Sequence, residues 1–369
     1  MYNKGYSFSI WHWDFLLLAG LIALSVVGLT VLYSASGNSW PVVKSQLIRM
    51  VLGFVVMMAL AQLNPRTVAL WTPWLYIFGV LMLLAVLFFG TISKGAQRWL
   101  DIGFIRFQPS EMIKLTVPLM LAWYFSERSL PPSGTHIFVA LVLVLFPTFL
   151  IVKQPDLGTA LLILSSGLFV IFFAGLHWWV FISVLGLGGV FVLLAIYTPV
   201  LHYLLHPYQL KRVHTFLNPE SDVLGAGYHI VQSKIAIGSG GLYGKGLSNG
   251  TQSQLQFLPE RSTDFIFAVF SEEFGLIGVV VLLTLYFYII TRGLFIAIQA
   301  QTTFGRLLAG SLSLTFFIYV FINMGMVSGI LPVVGLPLPL LSYGGTAIVT
   351  LFAGFGLLMG IHTHRRMLG

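Results

Sequence analysis

Apolar residues run along this chain in ten long blocks, at 15–34, 48–63, 68–90, 112–125, 137–152, 159–176, 179–205, 265–291, 307–330 and 345–361. A helix crossing a bilayer core needs about 20 mainly apolar residues, so the pattern predicts ten transmembrane helices. The second and fourth blocks are short, and reach that length only if Arg49 or the Glu111/Lys114 pair is drawn into the helix. The predicted fold is all-α: a polytopic integral membrane protein, one ten-span domain over residues 1–369, with 206–263 as a long segment between spans seven and eight.

Composition agrees. With 57% hydrophobic and 8% charged residues, no water-soluble fold could hide the apolar surface. The first block exceeds the roughly 7–15 residues of a signal-peptide core, and only Lys4 precedes it as a base, so it reads as an uncleaved span. Absence of cysteine excludes disulfides, thiolate metal sites and a cysteine nucleophile. The net charge of +8 favours anionic partners, and for a membrane protein these are lipid headgroups and phosphorylated lipids before nucleic acid.

Ten crossings put both termini on one side and sort the charges unevenly. Seven bases and two acids fall on the termini side, against twelve bases and nine acids on the other or just inside the spans opening towards it. Counting bases alone would make the richer face cytoplasmic. Five of those twelve, however, lie in the segment 206–263, which is too long for the positive-inside rule, so charge does not settle orientation. It does mark the face with chemistry to do, because ionisable groups at membrane depth are functional candidates by default.

Four segments carry that chemistry. Ser93–Glu111 contains Lys94, Arg98 and Arg106, is too aromatic for a free loop and too charged for a span, and should lie at the interface. Ser110 reads there as a helix N-cap, with Glu111 and Lys114 on one face of span four, either as a local pair or as a functional one. In Gln154-Pro155-Asp156-Leu157-Gly158-Thr159, Asp156 reads first as a cap and second as a substrate contact. Gly238–Gly246 is glycine-rich but lacks the spacing and preceding strand of a P-loop; its amides could hold an anion as a nest, beside Lys245. Asp264 opens span eight after Pro259-Glu260-Arg261-Ser262-Thr263, as either cap or base. Glu272 and Glu273 sit about 12 Å deeper, facing the bundle interior or a cavity with a base such as Lys114. His202 and His206 are i,i+4 without an acid ligand and read as interfacial; His362 and His364 read as a headgroup anchor.

Taken in order, Ile92–Trp99, Phe107–Glu111, Gln154–Thr159, Phe257–Phe265 and a C-terminal run from Asn323 through Gly329, Pro332 and Gly335 to Ser342-Tyr343-Gly344-Gly345-Thr346 resemble the SEDS family (shape, elongation, division and sporulation), most closely its elongation branch. The likeness extends over essentially the whole chain. It implies cytoplasmic termini in the bacterial inner membrane, with 206–263 extracytoplasmic, against the simple base count. It implies a peptidoglycan glycosyltransferase that polymerises lipid II into a nascent glycan strand and works with a class B penicillin-binding protein carrying the transpeptidase. Asp264 takes the place of the family's catalytic aspartate, and Glu111 and Lys114 that of polar positions linked to activity; Lys153 lies outside the family pattern.

Such a reaction needs a carboxylate to take the acceptor hydroxyl's proton and cations to offset charge on the leaving pyrophosphate. Asp264 is the expected base. The substrate-binding pool is Lys94, Arg98, Arg106, Glu111, Lys114, Lys245, Arg261 and Glu272. No cofactor or metal is required by the residue pattern, although a divalent cation, Mg or Mn, could share the work. The alternatives from other classes are a lipid II flippase or transporter, against which no repeat between halves is visible, and a non-catalytic assembly subunit.

Overall fold

A computed structural model of the chain describes residues 13–93, 96–101, 106–176, 178–179, 182–183, 186, 215–218, 225–255, 257–258 and 260–364. The helices are α1 (Phe15–Ala35), α2 (Trp40–Ala61), α3 (Pro65–Phe89), α4 (Pro109–Ser126), α5 (Gly134–Lys153), α6 (Leu157–Phe173), α7 (Ala226–Ser239), α8 (Thr251–Gln254), α9 (Ile266–Gln299), α10 (Thr303–Val327) and α11 (Thr346–Thr363). Seven of them, α1, α2, α3, α5, α9, α10 and α11, are long and apolar enough to cross a membrane, and α6 is a shorter apolar helix. Of the two weak blocks, α2 starts at Trp40 and takes in Lys44 and Arg49 as the sequence required, whereas α4 takes in Glu111 and Lys114 and is not one of those seven. The predicted seventh span, with His202 and His206, lies almost wholly outside the described residues, as does Lys94.

Helix starts follow local chemistry. Asp14 accepts from Leu17 N at 2.9 Å, Asn64 from Arg66 N at 3.0 Å with Pro65 behind it, and Thr302 from Gly305 N at 3.1 Å, each satisfying an amide that the helix leaves unpaired. Asp156 caps α6 through Thr159 N at 3.2 Å, as its first reading holds. Ser110 is not a cap: Gln108 holds that position, with Pro109 opening α4 and Ser110 already inside the helix.

The segment before α4 departs from an all-helical chain. Thr91–Ser93, Ala96–Asp101 and Arg106–Phe107 form a three-stranded antiparallel sheet, β1-β2-β3, with Thr91 opposite Trp99 and Leu100 opposite Phe107. Aromatic and β-branched residues favour this pairing once helix-length apolarity is lacking.

Helices α2 and α11, α9 and α10, α3 and α4, and α6 and α10 pack against one another. Close approach needs small residues: a Cβ on Gly356 of α11 would stand 2.5 Å from Met57 O of α2. Leu70, Trp74, Phe88 and Phe89 of α3, and Phe287 and Ile298 of α9, stand exposed on the outer surface, where hydrocarbon rather than water would cover them. Between α10 and α11 the chain is non-helical yet buried at Leu336, Leu338, Leu340 and Leu341, which is tolerated at depth only where protein supplies the hydrogen bonds. At the other end of the bundle, buried Asp14 meets Arg292 Nη2 at 2.7 Å and His362 Nε2 at 3.4 Å, so His362 turns into the protein rather than anchoring a headgroup.

Candidate active site

Asp264 lies in the turn 260–265, one residue before Phe265, which holds the N-cap position of α9 and makes no side-chain capping bond. Backbone around it is fixed from two other elements. Asn323 Nδ2, buried in α10, donates to Asp264 O at 3.0 Å and to Leu336 O at 2.6 Å. Ser342 Oγ donates to Thr263 O at 2.6 Å, and Tyr343 N donates to Ser262 O at 2.8 Å. Gln46 of α2 braces that segment in turn, donating to Ser342 O at 2.9 Å and accepting from Gly344 N at 3.3 Å. Arg49 donates to Gly344 O at 3.2 Å and lies 4.6 Å over the Tyr343 ring.

Arg261 shares the turn with Asp264. Its guanidinium reaches back to the α1–α2 turn at Gly37, and its Nη1 is buried without a hydrogen-bond partner. Burial lowers its pKa from the ordinary arginine value, because desolvation disfavours the charged form. A partly buried cation with an unused donor beside a carboxylate is suited to an anionic ligand.

The other candidates separate into pairs. Lys114 Nζ is 2.7 Å from Glu111 Oε1 and 5.2 Å from the Tyr319 ring centre, at the edge of a cavity of about 50 Å³ lined also by Leu162, Phe316 and Phe355. Arg98 donates to Pro155 O and lies 3.7 Å from Asp156 Oδ2, which Gln108 Nε2 also approaches at 3.3 Å. Glu272 takes Lys245 at 2.8 Å, so its base is Lys245 and not Lys114. Three of the glycine-rich segment's amides are committed within the protein: Gly244 N donates to Gly240 O, Lys245 N to Glu272 O and Gly246 N to Glu273 O. Arg106 is in β3, its side chain outside the described residues. Among the described residues no three His, Asp or Glu gather as a metal site.

Asn323, Gln46 and Arg49 are the positioning groups that reading by charged motif passed over. Polar side chains inside apolar blocks were the available signal, by the rule that made Glu111 a candidate.

The chain matches the FtsW/RodA/SpoVE family of cell cycle proteins over residues 8–367 and belongs to that family. Among its curated relatives, the peptidoglycan glycosyltransferase MrdB of Escherichia coli K12 is 55% identical, with 97% of this chain and 95% of the relative covered. Stage V sporulation protein E of Bacillus subtilis is 35% identical, over 96% and 98%. Two solved structures share the fold. A chain from a peptidoglycan synthase complex, described as coordinating polymerization and crosslinking, superposes with a TM-score of 0.80 at 30% identity, covering 96% of this chain and 98% of that one. The rod shape determining protein RodA of Thermus thermophilus gives 0.72 at 28% identity, over 97% and 99%.

Proposed function

We propose that this protein polymerises lipid II into glycan strands during cell elongation, with Asp264 as the general base and Arg261 as the nearest cation for the leaving pyrophosphate. The chain is a peptidoglycan glycosyltransferase of a multi-pass membrane family, as its relationship to MrdB over nearly its full length carries. The observation that supports the assignment within the chain is the turn 260–265: it carries both Asp264 and Arg261 and is fixed by Asn323, Ser342 and Tyr343.

In the proposed step the acceptor's sugar hydroxyl attacks the anomeric carbon of the donor. A glycosidic C–O bond forms, the bond from that carbon to the pyrophosphate oxygen breaks, and the hydroxyl proton passes to the Asp264 carboxylate. Proton removal by a placed base contributes about 10²–10⁴-fold. Polyprenyl pyrophosphate leaves with its charge met by Arg261. Mg or Mn, if used, would enter with the pyrophosphate, a multidentate oxygen ligand of the kind these ions favour.

We place the reaction on the extracytoplasmic face of the bacterial inner membrane, with both termini cytoplasmic. A class B penicillin-binding protein is the proposed transpeptidase partner, in keeping with the synthase complex to which this chain is similar. An apolar groove of about 600 Å³ between α9 and α10, lined by Phe267, Leu283, Phe287, Phe317 and Phe321, with Gly325 and Ser328 at one end, has the character of a surface for a partner's single span. Purified protein in bilayers should make glycan strands from lipid II, with and without the partner and added Mg or Mn. Lipid II flipping in liposomes without polymer would return the reading to a transporter.

A further inference from the structure

Helix α9 is broken at Gly275, whose φ of +63° and ψ of −166° no helix contains. The break divides it into a short half, residues 266–274, behind Asp264, and a long half that continues to Gln299. Backbone groups lose their helical partners at such a break, and the glycine-rich loop before α8 supplies partners for four of them. Lys245 N and Gly246 N donate to Glu272 O and Glu273 O, at 3.0 and 2.9 Å, while Leu276 N and Ile277 N donate to Gly241 O and Leu242 O, at 2.9 and 3.1 Å. The fit is backbone to backbone: a Cβ on Gly244 would stand 2.1 Å from Glu273 O, and one on Gly275 2.3 Å from Gly244 N.

Side chains lock this splint. Glu272, fully buried, accepts through Oε1 from Lys245 Nζ at 2.8 Å, Thr251 Oγ1 at 3.0 Å and Gln252 N at 3.1 Å. Lys245 Nζ also donates to Thr251 Oγ1 at 2.9 Å. Glu273 accepts from Ser248 N at 3.2 Å and from Ser34 of α1. The short half-helix is thus held at its far end by the loop and at its near end by Asn323 and Ser342.

We infer that Lys245 and Glu272 are positioning residues, a latch that fixes the loop 240–252 across the break in α9 and so sets where Asp264 stands, rather than groups that touch substrate. The inference rests on Asp264 as the base. Glu272 is fully buried and so out of reach of a sugar or phosphate, and the lysine beside it is committed to its Oε1.

The test uses the full-length protein. In Lys245→Met without lipid II, amide exchange should accelerate about tenfold at 241–246 and 275–277 together, since these segments share their hydrogen bonds. With lipid II, kcat should fall about tenfold while KM stays within about twofold, because a misplaced base costs turnover and not ground-state binding. Lys245→Arg should restore both, and Glu272→Gln, isosteric and still able to accept from Gln252 N, should reproduce the Lys245→Met pattern more weakly. Unchanged exchange with a raised KM would overturn the latch and make Lys245 a substrate contact; faster exchange with unchanged kcat would overturn it as well. Should Asp264→Asn still polymerise, the base assignment fails by itself, and the exchange measurement still decides whether the loop is latched.

Discussion

The two ends of the bundle treat their charges differently. At one end Asp14 is buried against Arg292 and His362 while also capping α1, so that α1, α9 and α11 are tied by a carboxylate with every demand met. At the other, with Glu111 paired to Lys114, Arg98 to Asp156 and Lys245 to Glu272, polar atoms are left over: Arg98 Nε, Glu272 Oε2 and, in the turn 260–265, Arg261 Nη1 are buried without a hydrogen-bond partner. A closed cluster fastens helices. A cation with a donor left over is suited to an anion that arrives from outside.

The sharpest way to break this contrast is to open a closed pair. Glu111→Gln leaves Lys114 buried beside Tyr319 without its counter-charge, and breaking a buried pair on one side costs about 3–5 kcal/mol. Thermal unfolding in detergent should show that loss, and Glu111→Gln with Lys114→Met should recover most of it. Arg261→Ala addresses the open cation instead. It should leave stability nearly unchanged and lower polymerisation by about 10²–10³-fold, the usual effect of removing one donor to a developing anion. A loss of folding in place of rate would make Arg261 structural. The smallest effect belongs to the fastener. Burial alone would raise the pKa of Asp14, but hydrogen bonds from Arg292 and Leu17 N hold it below the ordinary carboxylate value. Its contribution is therefore present above about pH 4 and fades as pH falls below that. Asp14→Asn should cost about 1.5–3 kcal/mol at neutral pH, with that deficit shrinking in acid and with the rate per folded molecule unchanged.

Much of the architecture was legible because membrane spans announce themselves by local composition. The run 137–152 falls inside α5 and all but Gly90 of the run 68–90 inside α3, and Asp156 caps where its Gly-Thr context suggested. Several failures were of partnerships across the chain. Nothing near Gly275 distinguishes it from a glycine packed inside a continuous span; its broken geometry depends on a loop some thirty residues earlier, read from its glycines as an anion nest. Lys114 was offered to Glu272 because both are deep, yet an i,i+3 neighbour reached it first. His362 looked like an anchor beside Arg365 and Arg366 until Asp14, more than three hundred residues away in sequence, took it inward. The bracing roles of Asn323 and Gln46 were hidden for another reason: each is a neutral polar residue, and only the non-helical segment they brace makes them necessary.

The comparison also separates two kinds of evidence about Asp264. Family membership covers the chain as a whole, whereas the turn 260–265 concerns this residue alone: its backbone is fixed by a side chain from α10.

The most direct measurement is therefore glycan-strand formation from lipid II by purified wild type and Asp264→Asn, with lipid II binding followed in parallel. The account predicts binding retained within about threefold and polymer reduced by at least about 10²-fold, since asparagine keeps the shape and removes the base. Normal polymer from the folded variant would contradict it.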